Sequence, residues 1–288
     1  MSAIELCPNP QCLAEISWVE DRCLSCFQPL APPNQRLANR DYETDALQQR
    51  YQAAVKDAEL RGVSYELAGL EQAITDHSLA AINCSVKFLH GFLTDNNPLY
   101  ANYRQQTESA TRKVAELNND RQRVGTEGIL YGSLAAHISY AALTVDKKGL
   151  ISYGNCVMLL KDLTMANKAT VLDENSYDFV RRHKILPGDR PPAGYWASWH
   201  NRHRLAIAKL AEKVKLGSKD YAALLLKSNG NRAEDEFIEV HIYGSFDKQA
   251  IAELALPGKA PKAAIERVLL DGIKDYANHH AITCTDYD

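Results

Sequence analysis

Cys7, Cys12, Cys23 and Cys26 are the residues whose type and spacing most directly specify a chemistry. Four residues separate the first two, two separate the second two, and ten lie between the pairs. Each pair fits a tight turn that aims two thiolates at one centre. Two such turns supply the four soft, tetrahedral ligands that zinc prefers. Pro8, Asn9 and Pro10 suit the first turn and Ser25 the second, and Ile16, Trp18 and Val19 are expected to fill the space between. A segment of this size buries too little surface to fold unaided, so the metal supplies the folding energy. Cys84, Cys156 and Cys284 are scattered, which reads as three ordinary thiols in a reducing compartment rather than a disulfide framework.

Three later segments carry further chemistry. The first, residues 131–140, holds His137, Ser139 and Tyr140 in a run of small and apolar residues expected to form a strand. The second, residues 149–176, holds Tyr153 beside Gly154, then Leu160-Lys161, then Thr170 and Ser176. The third runs from Glu239 to Gly244 and includes His241. Residues 237–243 alternate as a half-buried strand does. Ile238, Val240 and Ile242 face one way, and Phe237, Glu239, His241 and Tyr243 the other. A carboxylate inside an apolar strand costs several kcal/mol if buried alone. Glu239 therefore either faces solvent from an edge strand or serves a site.

The cysteine spacing resembles a zinc ribbon, a module that binds nucleic acid, binds protein or braces a neighbour. Residues 126–258 resemble an ADP-ribosyltransferase domain of the bacterial toxin type. The motifs, in order, are His137, Gly149-Leu150, Tyr153-Gly154, Leu160-Lys161, Ala169-Thr170-Val171 with Glu174-Asn175-Ser176, and Glu239-Val240-His241-Ile242-Tyr243-Gly244. The resemblance implies a split β-sheet core and cleavage of the nicotinamide–ribose bond of NAD through an oxocarbenium-like transition state. It also implies Glu239 as the catalytic carboxylate, His137 on the ribose, and Tyr153 stacked on nicotinamide with Tyr140 behind it. Ser139, Thr170, Ser176 and His241 complete the implied cofactor contacts. The turn reads Glu-Asn-Ser where the family has Gly-Asp-Ser, and His241 stands where a glutamine or glutamate often selects the acceptor.

These residues need elements to position them. Pro29, Pro32 and Pro33 mark a linker after the ribbon. Leu47, Tyr51, Ala54 and Ala58 share one face of a helix from Asp41 to Leu60, with Gly62 as its stop. A second helical stretch is expected from Tyr65 toward Phe88, and a polar third over residues 98–118. Residues 150–160 read as a strand broken at Gly154. Ile207, Leu210, Ala211 and Val214 form a short amphipathic helix. Asp247 caps a helix through Leu254, and Pro261 opens a last one with Ile265, Val268, Leu269 and Tyr276 inward. Strands spaced irregularly among helices favour an α+β class. The expected organisation is a zinc ribbon over 1–30, a linker and helical region over 31–125, and a catalytic domain over 126–288.

The net charge of −3 over 288 residues excludes a uniformly basic coat but not a local one. Arg181-Arg182-His183-Lys184 forms one basic cluster, and Arg202-His203-Arg204 after Trp196 and Trp199 forms a second. Each reads as a solvated helix face or as a surface that stacks bases and neutralises phosphates. No run of about 18 apolar residues and no basic leader appear, so a cytoplasmic chain is expected. The resemblance implies an intracellular toxin of the phage-defence, toxin–antitoxin kind, with an RNA, DNA or protein acceptor and an antitoxin or chaperone partner. An NAD glycohydrolase on the same fold and a non-enzymatic zinc-ribbon binding protein are the alternatives.

Overall fold

The computed structural model describes residues 5–96, 99–102, 104–105, 117–259 and 261–287. In chain order it begins with β1 (Glu5–Leu6), β2 (Glu15–Ile16), α1 (Pro33–Ala38), α2 (Asp41–Leu60), α3 (Ser64–His77), β3 (Leu79–Cys84) and α4 (Val86–Thr94). Then come α5 (Leu117–Tyr131), β4 (Ile138–Thr144), β5 (Cys156–Leu160), α6 (Asp162–Ala166), β6 (Ala169–Leu172), α7 (Ser176–Arg182) and β7 (Trp196–Ser198). The last elements are α8 (Arg202–Leu210), α9 (Tyr221–Leu225), β8 (Glu239–Tyr243), β9 (Ile251–Pro257), α10 (Ala264–His279) and β10 (Thr283–Tyr287).

β1 and β2 pair in a small hairpin. The other strands form one continuous sheet in the order β10-β9-β5-β3-β4-β8-β6-β7, antiparallel except for the β10–β9 pair. The α+β class is therefore as expected, but the strands share a single ladder rather than two. β3 lies between β5 and β4, so residues before 126 complete the same sheet as those after it. The expected boundary at 125 separates no cores. The continuous helix expected from Tyr65 is instead helix, strand, helix. A short buried apolar run such as Leu79–Cys84 fits either element, and only its neighbours decide.

Strand periodicity sorts side chains onto two faces. Val240 and Ile242 of β8, Val171 of β6 and Leu143 of β4 join the main core, covered by α2, α3, α4, α8 and α10 through Leu47, Leu70, Ile74, Leu89, Leu205, Ile207 and Ile273. The opposite face carries Tyr140, Glu239, His241, Thr170 and Leu172. Tyr131, Leu134, Phe179 and Trp196 build a second apolar cluster there, from the end of α5, α7 and β7.

α2 spans the expected residues, with Asp41 and Glu43 in its positive first turn and Gly62 at φ +71° beyond its end. Other expectations give way. The proline linker contains α1, which Pro33 opens without losing a needed N–H. Asp247 caps only a three-residue turn, and β9 follows it. Ile265 and Val268 of α10 are exposed, and its inward face is Leu270, Ile273 and Ala277. Most of the polar stretch expected over 98–118 lies outside the described residues.

α1 joins the ribbon to the sheet. Arg36 donates from Nη2 to the carbonyls of Ser17, Trp18 and Glu20 at 3.1, 3.0 and 2.7 Å, and its Nη1 pairs with Glu5 at 3.2 Å. Gln35 donates to the carbonyls of Ala166 and Ala169 at 3.0 and 2.8 Å, and Asn34 to those of Lys168 and His241 at 3.0 and 3.2 Å. Trp18 and Val19 leave the ribbon interior and pack on the second cluster. Replacing Arg36 by Ala should lower unfolding stability by about 2–3 kcal/mol in a urea titration, the worth of a lost charged hydrogen-bonding group. The metal content should stay unchanged.

Candidate active site and metal centre

Glu239 is 6% exposed, and its Oε2 is the meeting point of a buried polar group. The Ser176 backbone N–H donates to it at 2.9 Å, and the Ser176 hydroxyl makes a short bond to the same atom. The Nε2 of His241, two residues along the strand and fully buried, lies 2.9 Å from it. The Ser176 hydroxyl also lies 3.1 Å from that Nε2. On the far side of the ring, the Tyr131 hydroxyl makes a short bond to Nδ1. Burial drives the Tyr131 phenol well above its ordinary pKa, and the Glu239 charge adds to the rise. Tyr131 thus keeps its proton; when it donates that proton to Nδ1, the Nε2–H is left to donate to Glu239.

Local sequence explains the convergence. The period of two in β8 puts Glu239 and His241 on one face. Ser176 begins α7, so its N–H is one of the free donors at a helix start, and a carboxylate satisfies it well. Tyr140 and Thr170 flank His241 on the neighbouring strands at its own register position. The Tyr140 ring meets the imidazole edge-on at 5.2 Å, and Asn34 reaches the Thr170 hydroxyl at 3.3 Å.

Five of the expected residues therefore assemble: Glu239, His241, Ser176, Thr170 and Tyr140. Three do not. Ser139 is buried on the opposite face, paired with Ile242, because adjacent strand residues point opposite ways. His137 ends a turn of 3₁₀ helix just before β4 and is exposed, its ring 6.2 Å from that of Tyr243. Tyr153 precedes β5, with β3 and β4 standing between that strand and β8. At about 4.8 Å per strand this is roughly 14 Å of sheet. The Tyr153 ring is 37% exposed under the Arg232 guanidinium. Its loop is fixed by Asn83 of β3, which accepts from the Leu150 N–H at 2.7 Å and donates to the Gly154 carbonyl at 3.2 Å. Gly154, at φ +157°, is required because a Cβ there would lie 2.2 Å from the Cys84 carbonyl oxygen.

No protein-family model and no curated protein matches this sequence. The site is therefore judged on its own geometry. Tyr131, Asn34 and Lys209 belong to it and were not foreseen. Lys209 of α8 donates to the carbonyls of Asp173 and Phe237, the latter at 2.8 Å, and so ties the residues that lead into Ser176 to those that lead into Glu239. Asp173 is itself held by Arg50 at 3.2 Å and Arg182 at 3.5 Å. Burial brings the Lys209 ammonium down to about 8, against the pull of Asp173 and Glu174. Tyr131 lay in a segment read as strand, and Asn34 is 207 residues from His241. Neither carries a local signal.

The four N-terminal cysteines cluster with their Sγ atoms within 4.8 Å of one another, compatible with a zinc ion. Cys7 and Cys26 approach to 3.6 Å, and Cys12 and Cys23 to 3.8 Å. Leu13 and Phe27, the residues after Cys12 and Cys26, have φ of +50° and +59°, the left-handed backbone that closes each turn. A hydrogen bond from the Gln28 backbone lowers Cys26 to about 6, while burial raises Cys7 to about 12. Thiols this close share negative charge only around a cation. Among the described residues no helix is long and apolar enough to cross a membrane.

Two outcomes follow. Changing Cys26→Ser should reduce bound zinc from one ion per chain to less than half, by elemental analysis, and lower the melting temperature by several degrees. The second concerns Lys209. Its folded-state pKa lies below the unfolded value, so the unfolded chain binds more protons between about pH 8 and 10.5, and stability from this group rises with pH there. The stability deficit of Lys209→Met relative to wild type should therefore grow between pH 7 and 9.5 in parallel urea titrations.

Proposed function

We propose that the chain is an NAD-dependent ADP-ribosyltransferase with a zinc-braced N-terminus. It cleaves the nicotinamide–ribose bond and passes ADP-ribose to a nucleic-acid or protein acceptor. The observation that carries the reading is the Glu239 carboxylate. It sits in a dry site on β8 between the strands that bear Tyr140 and Thr170, held by Ser176 and His241. Of the motifs quoted above, Thr170, Ser176, Glu239 and His241 converge there and support the same reading, whereas His137 and Tyr153 lie elsewhere.

The chemistry asks for a fixed negative charge, not a nucleophile. As nicotinamide departs with the bonding pair, positive charge develops on the ribose. A carboxylate positioned in low dielectric then lowers the barrier by several kcal/mol. A serine-hydrolase arrangement fits poorly, because Ser176 and Glu239 share Nε2 of His241 whereas a triad uses opposite ring nitrogens. Here Nδ1 is taken by Tyr131. With Glu239 only 6% exposed, the reading requires the Ser176 turn to yield so that a ribose hydroxyl replaces the serine at Oε2.

The test is the isosteric change Glu239→Gln, which spares the shape of the group. NAD turnover should fall at least about 100-fold, the scale of losing one electrostatic stabiliser. Circular dichroism and the melting temperature should stay near wild type. Wild-type protein given labelled NAD and cell lysate should label a macromolecule, and nuclease and protease digestion identify its class. Free ADP-ribose with no labelled product would make the chain a glycohydrolase. Undiminished NAD cleavage by the glutamine variant would remove the proposal.

A further inference from the structure

A groove of about 360 Å³ lies at the C-terminal end of α7, lined by His183, Ile185, Asp189, Arg190 and Pro192. Its surroundings are cationic in a specific way. Arg182 is occupied by Asp173 and Glu174, and Asp189 by the Leu186 N–H at 2.9 Å. Arg181, Lys184 and Arg190 are exposed; none makes a salt bridge among the described residues, though the Arg190 charge acts on the buried Glu43 carboxyl. Each of the two arginines lies over a tyrosine ring, Arg181 at 5.1 Å over Tyr177 and Arg190 at 4.6 Å over Tyr42. Arg181 also donates from Nη1 to the Tyr177 hydroxyl at 3.1 Å, and its remaining N–H groups, with those of Arg190, can reach phosphate oxygens.

His183 lines the same groove. Its ring stands between Phe179 at 4.7 Å and Tyr195 at 4.8 Å, and its Nε2 is buried without a hydrogen-bond partner among the described residues. Burial, followed by the Arg182 charge, holds the ring toward the neutral form, in which it offers one donor and one acceptor. The second cluster singled out in the sequence has no such surface. Trp199 is fully buried, Trp196 is 7% exposed, and Arg202 is buried against Ser78 and Asp162.

We propose that this groove binds one nucleotide of a single-stranded nucleic acid, with Arg181, Lys184 and Arg190 on the flanking phosphates and Tyr42 and His183 at the base. A single strand is required because a duplex hides the faces and edges of its bases. α7 has seven residues, so the groove lies ~10 Å from the Ser176–Glu239 contact. A strand held there presents a neighbouring nucleotide toward that carboxylate. This last step rests on the ADP-ribosyltransferase reading; the binding does not.

The test is fluorescence anisotropy of labelled RNA and DNA 12-mers with the full chain, without NAD, from 50 to 200 mM salt. Combining Arg181→Ala, Lys184→Ala and Arg190→Ala should weaken binding at least tenfold at 100 mM salt. The slope of log affinity against log salt should flatten by about 2, at roughly 0.7 per phosphate contact. Tyr42→Ala with His183→Ala should weaken binding at least fivefold and leave the slope unchanged. A control removing exposed Lys56, Lys215 and Lys219 should change affinity less than twofold, and all variants should melt like wild type. The proposal is overturned if wild type binds neither oligonucleotide, if the control matches the groove variant, or if the groove variants bind like wild type. It is also overturned if NAD or an acidic peptide displaces the strand. Oligonucleotide binding with no NAD cleavage would end the enzyme reading alone, and NAD cleavage with no binding would end this one alone.

Discussion

The structure is organised around one costly arrangement, a carboxylate and an imidazole buried side by side in the middle of an apolar sheet. Left without partners, Glu239 would cost several kcal/mol, so each neighbour must contribute a polar group at the right place. Ser176 contributes a backbone N–H and a hydroxyl, and Tyr131 fixes the far nitrogen of His241. These donors come from two stretches of chain far from β8 in sequence. Satisfying them sets where α5 ends, where α7 begins and how β8 is oriented. A half-satisfied version would be worse than an apolar core, so the group assembles as a unit.

α1 extends this dependence to the N-terminus. One side of a six-residue helix grips the ribbon through Arg36, and the other grips β6 and β8 through Gln35 and Asn34. The cysteine cluster is therefore a brace on the sheet more than a free module. Of the roles open to a zinc ribbon, that one has direct contacts behind it. Trp18, seated among the aromatic residues over the Glu239 face, reinforces the link.

How much could be read beforehand differs by scale. The clustering of the four N-terminal cysteines, α2 with its glycine stop, and the alternation of β8 all follow from local spacing. So does the pairing of Glu239 with His241, because two residues on one strand share a face. The rest is tertiary. β3 looked like part of a helix, because a buried run of six residues lacks a period that decides. His137 fell away because residues 132–137, read as part of a strand, form 3₁₀ helix, and Ser139 because the pleat fixes which neighbours face Glu239. Tyr153 fell away because motif order along a chain does not give strand order across a sheet. Trp199 and Arg202 looked like a surface because tryptophan next to arginine is equally compatible with a buried stack, here with the guanidinium 4.4 Å above the indole.

The strand order has a consequence for synthesis. β8 lies between β4 and β6, so the chain made before residue 239 holds two unfinished pieces, β5-β3-β4 and β6-β7, each with an open ladder edge. These edges close only when residues 239–243 leave the ribosome. The strand that joins the halves is also the one that bears the carboxylate. A nascent or prematurely terminated chain therefore lacks the buried carboxylate as well as the joining strand, and its exposed edges are the natural target for holding factors and proteases.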